Sequence, residues 1–227
     1  MIKIKLIGIL FFAIAITTAQ EQELRVSLDA FDIVKGFDGI SINLIKSKEN
    51  KAVITGKRVH KVAIVNRNGT LKVRMQVDKI FKGYDTFVDL YYTANLKIID
   101  ANEEARIISE EMLNAEVLDL RAQEGGKLDF KCNTQQLLVR SITGGNIKVE
   151  GKTVTQDIKI NTGGRYNGKG FESNYTTVSV NAVGHAQVYA NNYVKADVKA
   201  GGTVAVFGNP KRMDEKTVLG GTVERIE

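Results

Sequence analysis

A repeat of about twenty residues in the C-terminal half constrains this chain more than any other feature. Leu118–Leu128, Leu138–Ile147, Ile158–Tyr166 and Val178–Ala186 superimpose, and Val198–Val206 follows at the same spacing. Gly125, Gly144 and Gly163 recur with a step of 19, and Ile158, Val178 and Val198 with a step of 20. Apolar residues alternate on both sides of the glycines, as in Val178, Val180, Ala182 and then Ala186, Val188. Each side is therefore a short strand with one covered face. The Gly-Gly pair suits a corner that needs positive φ and close backbone approach. A single unit cannot bury its apolar face alone, whereas a stack of them forms a continuous core. The expected fold is an all-β solenoid of stacked rungs.

Going backwards, Ala101–Ile107 aligns on Ala122–Leu128 with a step of 21, with Glu104-Ala105 in place of the glycines. The competing reading is a surface helix from Glu103 to Glu116, because that stretch is rich in helix formers. Further upstream, Ile40–Leu44 and Leu71–Val77 alternate as strands and Asn68-Gly69 marks a turn, without a clean period. The chain thus divides into a leader over 1–19, strands over 20–95 that start or cap the solenoid, and regular rungs with a C-terminal strand over 96–227.

The leader has a basic start at Lys3 and Lys5, an apolar run from Leu6 to Ile16 and small residues up to Ala19. That is the layout of a cleaved secretory signal. The apolar run is too short for the roughly 20 residues that span a bilayer, so no transmembrane segment is expected in the mature chain. The protein is expected in the periplasm, on the outer-membrane surface or outside the cell. Its net charge of +6 is spread over 32 bases and 26 acids, so a nucleic-acid partner is not expected. The lone Cys132 excludes an intramolecular disulfide. It continues the alternation Leu128, Phe130, Cys132 and should point inward.

No chemical constellation emerges. Ca²⁺ needs six to eight oxygens, and the rung corners offer too few acids. Glu103-Glu104 and Glu110-Glu111 read as solvated charge. His60 and His185 lack ligand-spaced partners, no Gly-x-Ser-x-Gly elbow occurs, and no glycine corner reads into Gly-Lys-Ser/Thr. No catalytic residue, cofactor or metal site is expected. A solenoid polysaccharide lyase is the enzymatic alternative, with Lys159, Arg165, Lys169 and Lys195 as its basic face. Tyr166, Phe171, Tyr175, Tyr189 and Tyr193 fall in adjacent rungs and would make a stacking face for a glycan or protein if they pointed outward.

The segments Val26–Phe31, Phe37–Leu44, Ala52–Gly56 and Asn68–Val73 resemble the start of the auto-transporter adhesin, head GIN domain family. Val206-Phe207-Gly208-Asn209-Pro210 and Leu219–Val223 are similar to its ending, although the corners here read Thr-Gly-Gly or Val-Gly-His where the family has Ser-Gly-Ser-Gly. The resemblance implies a right-handed parallel β-helix in a bacterial envelope, with no catalytic residues to carry over. The function it implies is noncatalytic binding of a glycan or protein through the lateral solenoid face, with homo-oligomers compatible. A structural or assembly role in the envelope is the other alternative.

Overall fold

A strand with one apolar face must find a second strand to cover it, and here each rung covers the next. The computed structural model describes residues 23–226; the leader and its cleavage site lie outside them. It forms a β-solenoid of stacked parallel coils, about seven turns long.

The N-terminal strands are β1 (Leu24–Ser27), β2 (Ile33–Gly36), β3 (Ser41–Lys46), β4 (Lys51–Gly56), β5 (Val62–Arg67), β6 (Thr70–Met75) and β7 (Thr86–Tyr92). They are followed by β8 (Ile98–Ala101), β9 (Arg106–Ala122), β10 (Lys127–Ile142), β11 (Asn146–Asn161) and β12 (Arg165–Asn181). The last coils are β13 (His185–Tyr189), β14 (Tyr193–Lys199), β15 (Thr203–Phe207), β16 (Arg212–Val218) and β17 (Thr222–Arg225). The β2–β3 rung is sandwiched: β6 and β7 pair parallel to it on one side, β8 and β9 on the other. Antiparallel β5 extends β6, while β4 and then β1 extend β7. Leu24, Val26, Val62 and Ile64 on these added strands pack against the core and cover that end of the stack.

From β8 onward the coils stack in parallel register. One inward column runs Val88, Ile42, Ile107, Leu128, Ile147, Tyr166, Ala186, Val204 and Val223, alternating with outward polar residues. Ala101 pairs with Ala122 and Ile107 with Leu128, so the rung without glycines is real. Its residues from Arg106 onward are strand and not helix: pairing with β10 outweighs the local helix propensity. The step of 20 from Val178 to Val198 is corrected to 18. Val178 faces Ala196, and Val180 faces Val198, because the Asn167–Tyr175 stretch carries two residues more than Gln187–Tyr193.

Two consecutive left-handed residues form each corner, as in Thr143 (φ 48°) and Gly144 (φ 74°). The paired glycines have separate tasks. Gly144 supplies positive φ, whereas Gly145 lets the backbone approach: a Cβ there would lie 2.1 Å from the Ala122 carbonyl oxygen. Two corners further along the stack, Ala182 (φ 55°) and the exposed Val183 (φ 61°) take the same conformation without glycine. A β-branched residue there is strained by about 1–2 kcal/mol, partly offset in a glycine variant by its greater unfolded-state entropy. Val183→Gly is therefore expected to stabilise by about 1 kcal/mol and raise Tm by about 2–4 °C in calorimetry.

At the far end Met213 and Val223 of the last coil still pack against the core, but charges take other inward positions. Glu215 stands beside the inward Ala196 and Arg225 beside the inward Val206. Inward-pointing charges of this kind blunt an open sheet end against further pairing.

Candidate functional site

β9 to β12 each pass through a bend midway along the strand, and the bends stack. The register sets Asn114, Asn133, Lys152 and Glu172 in one column and Ala115, Thr134, Thr153 and Ser173 in the next. Together with Glu116, Gln135, Val154 and Asn174, they line an open groove of about 710 Å³ that runs across the rungs, with Asn95 and Asn191 also in its lining. Its volume lies within the roughly 300–1,000 Å³ of small-molecule sites.

The floor and rim differ in their hydrogen-bonding state. On the floor, Thr134 Oγ1 donates to Thr153 Oγ1 (2.9 Å), which donates to the Thr155 carbonyl (3.0 Å). Ser173 Oγ donates to the Tyr189 carbonyl at 2.7 Å. These hydroxyls are buried and consumed by the fold. Among the described residues, the carboxamides of Asn95, Asn133, Gln135, Asn174 and Asn191 have no protein partner, so the rim presents free donors and acceptors. Carboxamides that both donate and accept match the hydroxyls of a sugar. The groove leaves no local mark in the sequence, because its residues come together by rung register rather than along the chain. The signal that could have found it is the step from Asn114 to Asn133 on a known register.

The aromatic set does not form one face, which corrects the expectation for Tyr166 and Phe171. Both are buried, Tyr166 at 2% exposure. Register sets Tyr166 inward between Ile147 and Ala186, and Gly168 leaves the space that its ring fills. The bulge opposite Lys148–Glu150 then shifts the alternation so that Phe171 also turns inward. Tyr166 OH donates to Gln156 Oε1 at 2.9 Å, and burial holds its pKa well above the ordinary phenol value. Tyr175 is 48% exposed and lies next to Asn174 on the groove rim. Tyr193 pairs with Tyr175 across the rungs, but it is half-buried and its hydroxyl donates to Asp214 at 2.7 Å. Half-buried Tyr189 lays its ring over Gly208 and pairs with Phe207 on the opposite flank.

The arrangement offers little to catalysis. Glu116 and Glu172 are the two groove carboxylates, three rungs apart. At about 4.8 Å per strand spacing that is roughly 14 Å, beyond the ~5–9.5 Å between paired glycosidase carboxylates. The four cations of the lyase alternative do not share a face. Lys159 and Lys195 lie on the β11–β12–β14 flank with Asp157 and Thr177, whereas Arg165 stands beside Asn146 and His185 on the other. Lys169 sits in the β12 bulge. Cys132 is buried, and desolvation pushes its thiol up to about 12, so it is no nucleophile at neutral pH. Both histidines are exposed, and no group of three or more His, Cys, Asp or Glu among the described residues could hold a metal. No described helix is long and apolar enough to cross a membrane.

A family model described as "Putative auto-transporter adhesin, head GIN domain" matches residues 30–210. Among solved structures, the chain is similar to a "putative adhesin" of Bacteroides fragilis, with a TM-score of 0.82 at 19% identity over 92% of this chain and 98% of that one. It is also similar to a "putative lipid binding protein" of Parabacteroides distasonis, with a TM-score of 0.69 at 12% identity over 92% and 98% of the two chains. A "putative adhesin" of the same organism gives 0.66 at 18% identity, covering 91% and 97%. At these identities the likeness shows the fold alone. No curated protein matches the chain.

Proposed function

Because this chain belongs to the auto-transporter adhesin, head GIN domain family, we propose that it is a noncatalytic binding protein of the cell envelope or surface, whose lateral face takes a neutral glycan in the carboxamide-lined groove. The observation that carries this reading is the division of labour within the groove. Floor hydroxyls are bonded internally, while rim carboxamides stay free across successive rungs. A ligand running along the solenoid axis would meet one carboxamide layer after another, with the exposed Tyr175 beside the rim as a stacking surface. The proposed export to the envelope follows from the leader and suits an adhesin.

The test is a glycan array with purified mature protein, followed by calorimetric titration of the best hit against an Asn133→Ala, Gln135→Ala, Asn174→Ala variant. Each lost hydrogen bond costs about 1 kcal/mol, so the triple variant is expected to bind about 100-fold more weakly or worse. Its Tm is expected to stay unchanged, since these side chains hold nothing within the fold. A silent array together with discrete oligomers in light scattering would favour the assembly role instead. Release of unsaturated sugar ends from an acidic polysaccharide would favour a lyase.

A further inference from the structure

We propose a second site, on the outer face of β2, β6 and β5, that binds the sulfate, phosphate or carboxylate groups of an acidic polysaccharide. Parallel pairing sets Lys35 beside Lys72, and antiparallel pairing sets Lys72 across from Val65 and Arg67 across from Thr70. Arg74 follows Lys72 on the same face of β6. Lys35, Arg67, Lys72 and Arg74, with Val65 and Thr70, line a concavity of about 480 Å³. No acid is among its lining residues.

Like charges placed side by side on neighbouring strands destabilise a sheet unless something neutralises them. Elsewhere on the solenoid, some strand cations sit by an acid two residues away, as Arg121 by Asp119, Lys148 by Glu150, Lys199 by Asp197 and Arg212 by Asp214, and the neighbours Arg140 and Lys159 share their recess with Asp119 and Asp157. In the concavity, Lys35 has Asp100 at 3.1 Å. Among the described residues, no carboxylate comes within ion-pair distance of Arg67, Lys72 or Arg74. The sheet thus carries an uncompensated cation cluster in a recess, which a multivalent oxyanion would relieve. The two guanidinium forks supply the planar paired donors that sulfate, phosphate and carboxylate accept. Val65 is the one apolar residue in the lining, so the recess gives a bilayer nothing to bury, which favours a polysaccharide over a lipid surface.

The experiment titrates the mature protein with heparin, as a sulfated probe, and with uncharged dextran, over a range of salt concentrations. Wild type is expected to bind heparin and not dextran. An Arg67→Gln, Lys72→Gln, Arg74→Gln variant is expected to bind heparin at least 30-fold more weakly at low salt. Its slope of log affinity against log salt should be shallower by about two to three, near one counterion per cation removed. Its Tm should hold or rise, because repulsion has been removed; a purely structural role for these cations would lower it. A control variant, Arg140→Gln, Lys159→Gln, Lys195→Gln, removes three cations from the flank of later rungs and is expected to keep the affinity within about twofold. Equal loss in both variants would overturn the site in favour of diffuse surface charge. So would an unchanged slope in the first variant, equal binding of dextran, or binding to vesicles of anionic lipid without binding to heparin. The groove carboxamides are untouched in both variants, so failure here is separable from failure of the groove reading.

Discussion

Gly145→Ala is expected to lower Tm by about 10 °C, whereas Gly144→Ala, one residue away, lowers it by only about 2–4 °C. The contrast follows from what each glycine does. At Gly144 the φ of 74° strains an L residue by about 1 kcal/mol, yet a Cβ meets nothing closer than 4.0 Å, at the Gly125 nitrogen. At Gly145 a Cβ would stand 2.1 Å from the Ala122 carbonyl oxygen and 2.5 Å from its carbon. Those atoms are backbone of the rung below and cannot rotate away, so two rungs must separate, at a cost of roughly 3 kcal/mol or more. In a stack held by nearest-neighbour contacts the damage should centre on that joint. Hydrogen exchange should accordingly show faster exchange of the Gly145 and Asn146 amides, which donate to the Ile142 and Gly126 carbonyls, than of amides in β2 and β3. Equal Tm losses for the two substitutions would overturn the assignment of separate tasks.

The same corner shows how far sequence reading reaches. Gly-Gly steps of 19 and alternating apolar residues report directly on stacking, because a rung corner and a covered strand face each admit few residue types. That is why the solenoid, the inward Cys132 and the glycine-less rung at Ala101 are legible along the chain. Bulges are not. Lys169-Gly170 shifts the alternation of β12 without any mark that separates it from an ordinary turn; it moves Phe171 inward and accounts for one of the two residues by which the Val178–Val198 step is off, the shorter Gln187–Tyr193 stretch accounting for the other. The aromatic face fails for that reason at Phe171, and at Tyr166 because register sets it between the inward Ile147 and Ala186, with Gly168 leaving room for its ring. Groove and cation recess are invisible for a different reason. Both are assembled by lateral register, in which Asn133 meets Lys152 and Lys35 meets Lys72, and register over a long intervening segment is set by the whole stack rather than by local sequence. The sandwiching of β2–β3 between strands that follow it in the chain is of the same kind.

Gln156→Leu is expected to destabilise by about 3 kcal/mol, lowering Tm by about 8 °C, although leucine is close to glutamine in volume. Gln156 is buried behind the groove, with Nε2 at 3.1 Å from Ser173 Oγ, 2.9 Å from Thr176 Oγ1 and 3.1 Å from the Tyr189 carbonyl. Ser173 and Thr176 keep each other at 2.8 Å, and Ser173 keeps the Tyr189 carbonyl, so these groups survive the change. Tyr166 does not: its hydroxyl donates to Gln156 Oε1 alone among the described residues and would be left buried without an acceptor. A stranded hydroxyl costs about 1–3 kcal/mol, and the lost donor bonds add about 1 kcal/mol more. Removing the hydroxyl as well should therefore restore part of the loss. The Gln156→Leu, Tyr166→Phe double variant is expected to be at least 1 kcal/mol more stable than the sum of the two single changes predicts, measured by urea unfolding of all four proteins. Strict additivity would mean that the hydroxyl finds another partner when Gln156 is gone, and that the network only fills space. A coupled result would place this polar cluster among the elements that fix how the β12 bend sits under the groove, since Ser173 belongs both to the network and to the groove floor.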